Sequence, residues 1–213
     1  KMLGSGAEKA KIFAKALAKN TTLKELNFSH FFIRAEGAIA FRDALMQNSS
    51  LIHLDLFWTG ICDEGAKALA EALKKNSTLN VLDLHECEIC DDGAKALADA
   101  LKHNKTLCNI DLSNNDIRNE GAKALAGALT INSTLEVLNL SGNSIQDEGA
   151  KGIADALAKN SALSELNLNS NCIDEEGGKA LANILTKNTT LTQLKIRDND
   201  IDSHDLKGWI TET

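Results

Sequence analysis

Leucine recurs along the chain with a fixed spacing of 28 residues, and a glycine and an asparagine recur in the same register. The leucine column comprises Leu23, Leu51, Leu79, Leu107, Leu135, Leu163 and Leu191, the glycine column Gly37, Gly65, Gly93, Gly121, Gly149 and Gly177, and the asparagine column Asn20, Asn48, Asn76, Asn104, Asn132, Asn160 and Asn188. Three columns in phase indicate that the chain consists of repeats, each of them one structural unit.

Each repeat divides into two halves with different hydrophobic patterns. The first half reads Leu-x-x-Leu-x-Leu-x-x-Asn-x-Ile, as in residues 135–145, where the alternation of Leu138 and Leu140 predicts a strand with one buried face. The second half, as in residues 63–76, carries apolar residues three and four positions apart, which predicts an amphipathic helix. In that segment they are Ala66, Leu69, Ala70 and Leu73.

Strands joined by helices are expected to run parallel, with right-handed crossovers. Because adjacent strands lie about 4.8 Å apart and adjacent helices about 10 Å apart, the stack must curve, with the sheet on the concave face and the helices on the convex face. We predict an α/β fold, a right-handed solenoid that forms a single domain over residues 1–213. Residues 1–22 form an N-terminal helical cap, 23–190 six 28-residue repeats, and 191–213 a C-terminal partial repeat in which Trp209 covers the open end.

Polar residues at the expected helix ends suggest how each helix begins and ends. Asp63, Asp91, Asn119, Asp147 and Ser203 occupy predicted N-cap positions, where a side-chain oxygen accepts a hydrogen bond from a free first-turn amide. The asparagine column is predicted to close the helices at the C′ position, because Asn tolerates the left-handed conformation better than other residues with a side chain.

The composition narrows the classes of partner. The 213 residues carry a net charge of −7, which disfavours binding to nucleic acid or to an anionic membrane, since both need a concentration of Lys and Arg. No apolar run approaches the roughly 18 residues that a membrane span requires. We therefore expect a protein partner, no nucleic acid and no membrane.

Function in a repeat protein is sought where the outward strand columns vary. The first repeats carry Phe57 and Trp58 at outward positions, with His30, His53, His85 and Glu86 nearby. Exposed aromatics beside polar groups are typical anchors of protein interfaces, so this group is a candidate partner-binding site. The alternative is that the first repeats are merely divergent, with Phe31 and Phe32 packed under the N-terminal cap.

Charged residues form a second feature of the same strands. Asp55, Asp83 and Asp111 are expected to stack on successive strands about 5 Å apart, where their like charges repel, and we interpret them as part of a site for a basic partner. The alternative is an ordinary solvated stripe that water and neighbouring Asn side chains screen. At the C-terminal end Lys195 and Arg197 reverse the sign, which could orient a partner.

The histidine and cysteine residues could serve metal binding, disulfide formation or catalysis instead of protein binding. His85, Cys87 and Cys90 have a zinc-like spacing, but Cys87 is expected to point inward and His85 outward, so we predict no metal and no cofactor. Cys62 and Cys90 share a column and could pair in an oxidising setting, whereas an odd number of cysteines favours reduced thiols and the cytoplasm. His53, Asp55 and His85 are expected on adjacent strands, but no strained turn or oxyanion donor accompanies them, so we predict no enzyme.

The 28-residue pattern, with its Asn-x-Ile turn and its Asp-Glu-Gly-Ala-Lys-Ala-Leu helix start, resembles the ribonuclease-inhibitor-like subclass of leucine-rich repeats over residues 9–210. That resemblance implies a horseshoe-shaped monomer that binds a protein on its concave face. A single repeat type and only five cysteines depart from the vertebrate inhibitors, and the regular polar repeats are most similar to effectors that intracellular bacteria deliver into the host-cell cytosol. The alternatives are a ligand-sensing fragment of a cytosolic immune receptor and a GTPase-activating protein of the Ran-activator type.

Overall fold

The computed structural model describes residues 5–201, and within them helices and strands alternate strictly. The helices are α1 Gly6–Leu17, α2 Arg34–Leu45, α3 Cys62–Leu73, α4 Asp91–His103, α5 Asn119–Leu129, α6 Asp147–Leu157 and α7 Glu175–Leu185. The strands are β1 Glu25–Asn27, β2 His53–Asp55, β3 Val81–Asp83, β4 Asn109–Asp111, β5 Val137–Asn139, β6 Glu165–Asn167 and β7 Gln193–Lys195. The predictions for Ser203 and Trp209 concern residues outside this range.

The strands form one parallel sheet in chain order, from β1 to β7. Each pair is in register by one repeat, so that Leu26 lies opposite Leu54 and Leu54 opposite Leu82. The leucine columns of the strands and the apolar faces of the helices form one continuous buried core between the two layers. The predicted α/β solenoid is therefore confirmed, and within residues 5–201 the repeats bury their core faces against one another.

The asparagine column joins neighbouring repeats, and the prediction of a left-handed helix terminus was wrong. Asn104, for example, has an extended backbone with φ of −72°. Its buried side-chain amide donates to the carbonyls of Leu73 and Asn76 in the preceding repeat, while its carbonyl accepts from the amides of Thr106 and Leu107. Such a side chain satisfies buried backbone groups of two repeats at once, which favours Asn over the smaller residues that a helix end usually takes.

The acidic column at the helix starts also acts between repeats, which corrects the N-cap prediction. Asp63 already lies inside α3, and its carboxylate accepts hydrogen bonds from the amides of Cys90 and Gly93 at the start of α4. Asp91, Asn119 and Asp147 make the same pair of bonds to the helix that follows each of them. A carboxylate at a helix N-terminus is stabilising, and here the favourable contact holds adjacent helices in register.

None of the helices between residues 5 and 201 combines the length and the apolar character that a membrane crossing requires.

Candidate protein-binding surface

The sheet register brings four of the nine predicted site residues together on neighbouring strands. Asp55, Asp83 and Asp111 lie side by side on β2, β3 and β4, as predicted from their spacing. His53 lies one column away, opposite Glu25 and half-buried. The remaining predicted residues, His30, Phe57, Trp58, His85 and Glu86, lie in the segments that follow β1, β2 and β3.

Aromatic rings from the first three repeats pack in a row. The Phe57 ring lies between those of His30 and His85, with ring centres 4.7 Å and 4.6 Å away. Trp58 contacts the His30 ring at 5.5 Å and the Phe32 ring at 6.0 Å, the latter edge to face. Trp58 and Phe32 remain 44% and 45% exposed, so the row ends in a partly open aromatic surface.

Phe31 and Phe32 take different roles, and the sequence did not distinguish them. Phe31 packs on the ring of Phe28, with the ammonium group of Lys9 on the cap helix α1 lying 4.7 Å from its centre. That arrangement fits the alternative prediction of packing under the cap. Phe32 instead faces Trp58 and belongs to the candidate surface, where its adjacency to Trp58 depends on a loop conformation that the sequence pattern does not encode.

The third residue after the end of each strand has a left-handed backbone, with φ between 50° and 64°. This column comprises His30, Trp58, Glu86, Asn114, Gly142, Ser170 and Asp198. Gly and Asn adopt that conformation readily, whereas Trp and Glu pay about 1 kcal/mol for it. Large or charged side chains in a strained position suggest a function other than stability, and three of the predicted site residues lie in this column.

The loops of the first repeats differ because they lack the turn asparagine of the later ones. Asn115 accepts hydrogen bonds from the amides of Cys87 and Ile89 in the preceding loop. The corresponding positions in the first three repeats hold Phe31, Thr59 and Cys87. The thiol of Cys87 is a poor hydrogen-bond acceptor. The loop of the preceding repeat, after β2, has left-handed residues at Gly60 and Cys62. The Cys62 amide donates to the backbone carbonyl of Cys87.

A pocket of about 380 Å³ lies along these loops, at the edge of the sheet where the strands end; we call it the rim pocket. Phe32, Trp58 and Gly60 line one part of it, and Asn114, Asn115 and Gly142 another. The carboxylates of Glu86, Glu88 and Asp116 complete its lining. Of these residues, the sequence analysis identified only Trp58 and Glu86 as site residues.

The two outer carboxylates of the aspartate row accept hydrogen bonds from asparagine side chains. Asn27 donates to Asp55 and Asn139 donates to Asp111, each over 2.7 Å. Asp83 in the middle accepts from the backbone amide of His85 at 2.9 Å. Burial, with the neighbouring Asp111 and Asp55 charges, raises the pKa of Asp83 above its usual value. The Asn contacts fit the alternative prediction of a screened stripe at the ends, while Asp83 remains an electrostatically costly centre.

Charges at the C-terminal end are paired within the sheet. The ammonium group of Lys195 on β7 lies 2.5 Å from the carboxylate of Glu165 on β6. The Arg197 amide is bonded to Asn169, and its side chain is exposed. The idea that Lys195 and Arg197 orient a partner by their charge therefore rests mainly on Arg197.

The cysteine and histidine groups have separate surroundings. Cys87 donates to the Leu56 carbonyl inside the core, while the His85 ring lies 2.8 Å from the Asn114 amide on the surface. Across residues 5–201, no three His, Cys, Asp or Glu side chains converge as a metal site would require. All five cysteines lie in that range as free thiols, and burial, aided by Glu88, raises the pKa of Cys62 to about 11.

Two family profiles match the chain by sequence. The "Leucine Rich repeat" profile matches residues 19–41, 47–70, 75–98 and 103–126, and the "TMOD/LMOD Leucine-rich domain" profile matches residues 115–204. The chain is a leucine-rich-repeat protein. The ribonuclease-inhibitor-like subclass and the resemblance to bacterial effectors stay predictions.

Solved structures of other leucine-rich-repeat domains have the same fold. "Leiomodin-1 Actin-Binding Site 2 (ABS2)" superposes with a TM-score of 0.58 and 23% identity, over 67% of this chain and 83% of that one. The tropomodulin C-terminal domain of Caenorhabditis elegans superposes with a TM-score of 0.57 and 15% identity, over 69% and 89% of the two chains. Similarity at this level establishes the fold alone. None of the curated proteins matches the chain by sequence.

Proposed function

We propose that this leucine-rich-repeat chain is a protein-binding module that recognises its partner on the concave face of its first four repeats, without catalysing a reaction. The site comprises His30, His53, Asp55, Phe57, Trp58, Asp83, His85, Glu86 and Asp111. The observation that carries the proposal is the partly exposed row of aromatic rings in the segments that follow β1, β2 and β3, beside the aspartate row on β2, β3 and β4. Aromatic anchors and fixed charges on a rigid surface are the usual elements of a protein interface.

The partner is proposed to present a basic surface. The Asp83 carboxylate loses solvation in the row. Within residues 5–201 it accepts a hydrogen bond only from the backbone amide of His85. A Lys or Arg side chain against it would relieve the repulsion from Asp55 and Asp111. We propose that the chain acts as a monomer in the cytoplasm, since its thiols are unpaired and a concave surface presents a full site in one copy.

The experiment is affinity capture with the whole chain and with a Phe57→Ala, Trp58→Ala double variant, both verified as folded by circular dichroism. A Ser141→Ala, Gln193→Ala variant changes the outward columns of later repeats and serves as the matched control. A partner captured by the chain and the control but lost with the aromatic variant supports the proposal. A partner that the aromatic variant retains contradicts the site.

As a specific role, we propose a bacterial effector that binds a host protein. The regular, polar repeats, most similar to that group, support this role. Capture from a eukaryotic lysate in parallel with a bacterial lysate tests it, because an effector should capture its partner from the eukaryotic lysate alone. A nucleotide-binding domain in the full reading frame would favour an immune-receptor fragment instead, and stimulated GTP hydrolysis by Ran would favour an activator.

Actin is a second candidate partner, favoured by the match of the tropomodulin and leiomodin domain profile to residues 115–204. One of the superposable structures is actin-binding site 2 of leiomodin-1. The profile matches residues 115–204, and all residues of the proposed aromatic site lie before this range. Co-sedimentation with filamentous actin tests the candidate, and binding that survives the Phe57→Ala, Trp58→Ala change would assign it to the C-terminal repeats.

A further inference from the structure

The rim pocket differs from the strand face in both position and chemistry. It opens at the sheet edge, among the loops that follow the first strands, and its volume of about 380 Å³ is ample for one long side chain. Its lining combines two aromatic rings, Phe32 and Trp58, with the carboxylates of Glu86, Glu88 and Asp116. The aspartate row lies on the strands and carries no aromatic rings, so the pocket is a separate feature.

The carboxylates of the pocket have few cationic neighbours. Glu86 lies 3.8 Å from the His85 ring, and Glu88 accepts a hydrogen bond from the Cys62 thiol at 3.4 Å. Within residues 5–201, no ion pair joins Glu88 or Asp116 to a Lys or Arg side chain. The pocket therefore carries a negative charge that favours a cationic occupant.

The aromatic wall is suited to a guanidinium group. The side chain of Arg34, which does not line the pocket, already lies over one of these rings, with its guanidinium carbon 5.7 Å from the centre of the Phe32 ring. Trp58 is partly exposed at the pocket, and its indole is the aromatic group that attracts cations most strongly. A flat guanidinium can stack on a ring and donate to carboxylates at its edges, which an ammonium group cannot do.

We propose that the rim pocket binds an arginine side chain, presented by a basic segment of the partner protein. This inference rests on the proposed function, to which it adds the chemistry of one contact. Glu88 and Asp116 accept hydrogen bonds from the guanidinium edges, and Trp58 covers its face. The strained, left-handed backbone at Trp58 holds the indole at the pocket, and the arginine contact specifies which basic segments the concave face accepts.

The test titrates the ¹⁵N-labelled chain with acetyl-arginine N-methylamide and follows its amide and indole signals by nuclear magnetic resonance. Acetyl-citrulline N-methylamide, a neutral analogue of the same shape, is the matched probe, and acetyl-lysine N-methylamide tests for a preference between cations. We expect saturable shifts at the Trp58 indole and at Gly60 and Gly142 with arginine, weaker binding of lysine, and no saturation with citrulline. Glu88→Gln should weaken arginine binding about fivefold.

Glu136→Gln is the control variant, because Glu136 is exposed at the opposite edge of the sheet and its change removes the same charge. Equal weakening by both variants would mean diffuse attraction to an acidic protein and would overturn the proposal. Citrulline or lysine binding as tightly as arginine would also overturn it, as would the absence of shifts. The probes need no partner protein, so a failed titration beside successful capture through Phe57 rejects the pocket alone.

Discussion

The carboxylate of Asp63 accepts a hydrogen bond from the amide of Gly93 over 2.9 Å, so that one repeat caps the helix of the next. A Cβ atom on Gly93 would lie 2.6 Å from that carboxylate oxygen and 2.7 Å from Ile89. The glycine column is therefore required for the close approach of consecutive helices, and this explains why it keeps the 28-residue period.

Gly93→Ala should lower the free energy of unfolding by about 2 kcal/mol, because the added methyl group displaces the capping carboxylate. Gly127→Ala is the matched control, since a Cβ there meets nothing within 4 Å. In the last turn of α5 it should raise stability by about 0.5 kcal/mol through helix propensity. Urea denaturation measures both, and equal effects at the two glycines would contradict the role given to Gly93.

Substitution in the asparagine column should lower the free energy of unfolding more than Gly93→Ala does. Asn132 is buried, and its side chain donates to the Leu101 and Asn104 carbonyls while accepting from the amides of Thr134 and Leu135. Asn132→Ala leaves these buried groups unpaired and should cost about 3 kcal/mol or more.

Asn20 supplies the control for this prediction, because it occupies the same column but is exposed. Among residues 5–201, its side chain accepts hydrogen bonds only from the amides of Thr22 and Leu23 and donates none. Asn20→Ala should cost about 1 kcal/mol. Thermal or urea unfolding compares the two variants. Similar losses would mean that the contacts between repeats contribute little.

The sequence predicted the elements, the register and the adjacency of the three aspartates on successive strands, because each follows from the 28-residue period and the hydrophobic pattern. It misassigned the capping partner of Asp63 and the backbone conformation of Asn104, whose side-chain bonds cross to the neighbouring repeat. A local capping rule considers only the residue's own helix, whereas stacking decides which backbone groups lie within reach. The rim pocket was missed for a related reason, since Phe32 and Gly60 meet only through loops that rearrange where Thr59 and Cys87 replace asparagine.

The left-handed backbone at Trp58 predicts an unusual response to substitution. Trp58→Asn and Trp58→Val both remove the indole, but Asn tolerates a φ of 55° and valine does not. The valine variant should therefore be less stable than the asparagine variant by about 1–2 kcal/mol. Both should lose the captured partner. Equal stabilities would contradict the strain, and retained capture would remove Trp58 from the site.

Asp83 predicts a dependence of stability on pH. Its pKa is raised in the folded protein, so ionisation costs stability, and this cost is fully present above the folded pKa and absent below the unfolded value of about 3.9. Asp83→Asn should raise stability at pH 7 by about 0.5–1 kcal/mol. The gain should shrink as the pH falls through the folded pKa of Asp83.

Asp155→Asn is the control for this prediction, because Asp155 is exposed on α6, away from the aspartate row. Its effect should stay within about 0.5 kcal/mol at either pH. Urea unfolding at pH 7 and pH 4 compares the two variants. A loss of stability with Asp83→Asn at pH 7 would mean that the ionised row is favourable in the folded chain.

The most direct measurement of the central claim is site-specific photo-crosslinking to the captured partner. A benzophenone amino acid replaces Phe57 on the concave face in one protein and Asp155 on the convex face in another, and crosslinked partner is identified by mass spectrometry. The account predicts crosslinks from position 57 and none from position 155. Crosslinks from position 155 alone, or equal yields from both positions, would contradict recognition by the concave face.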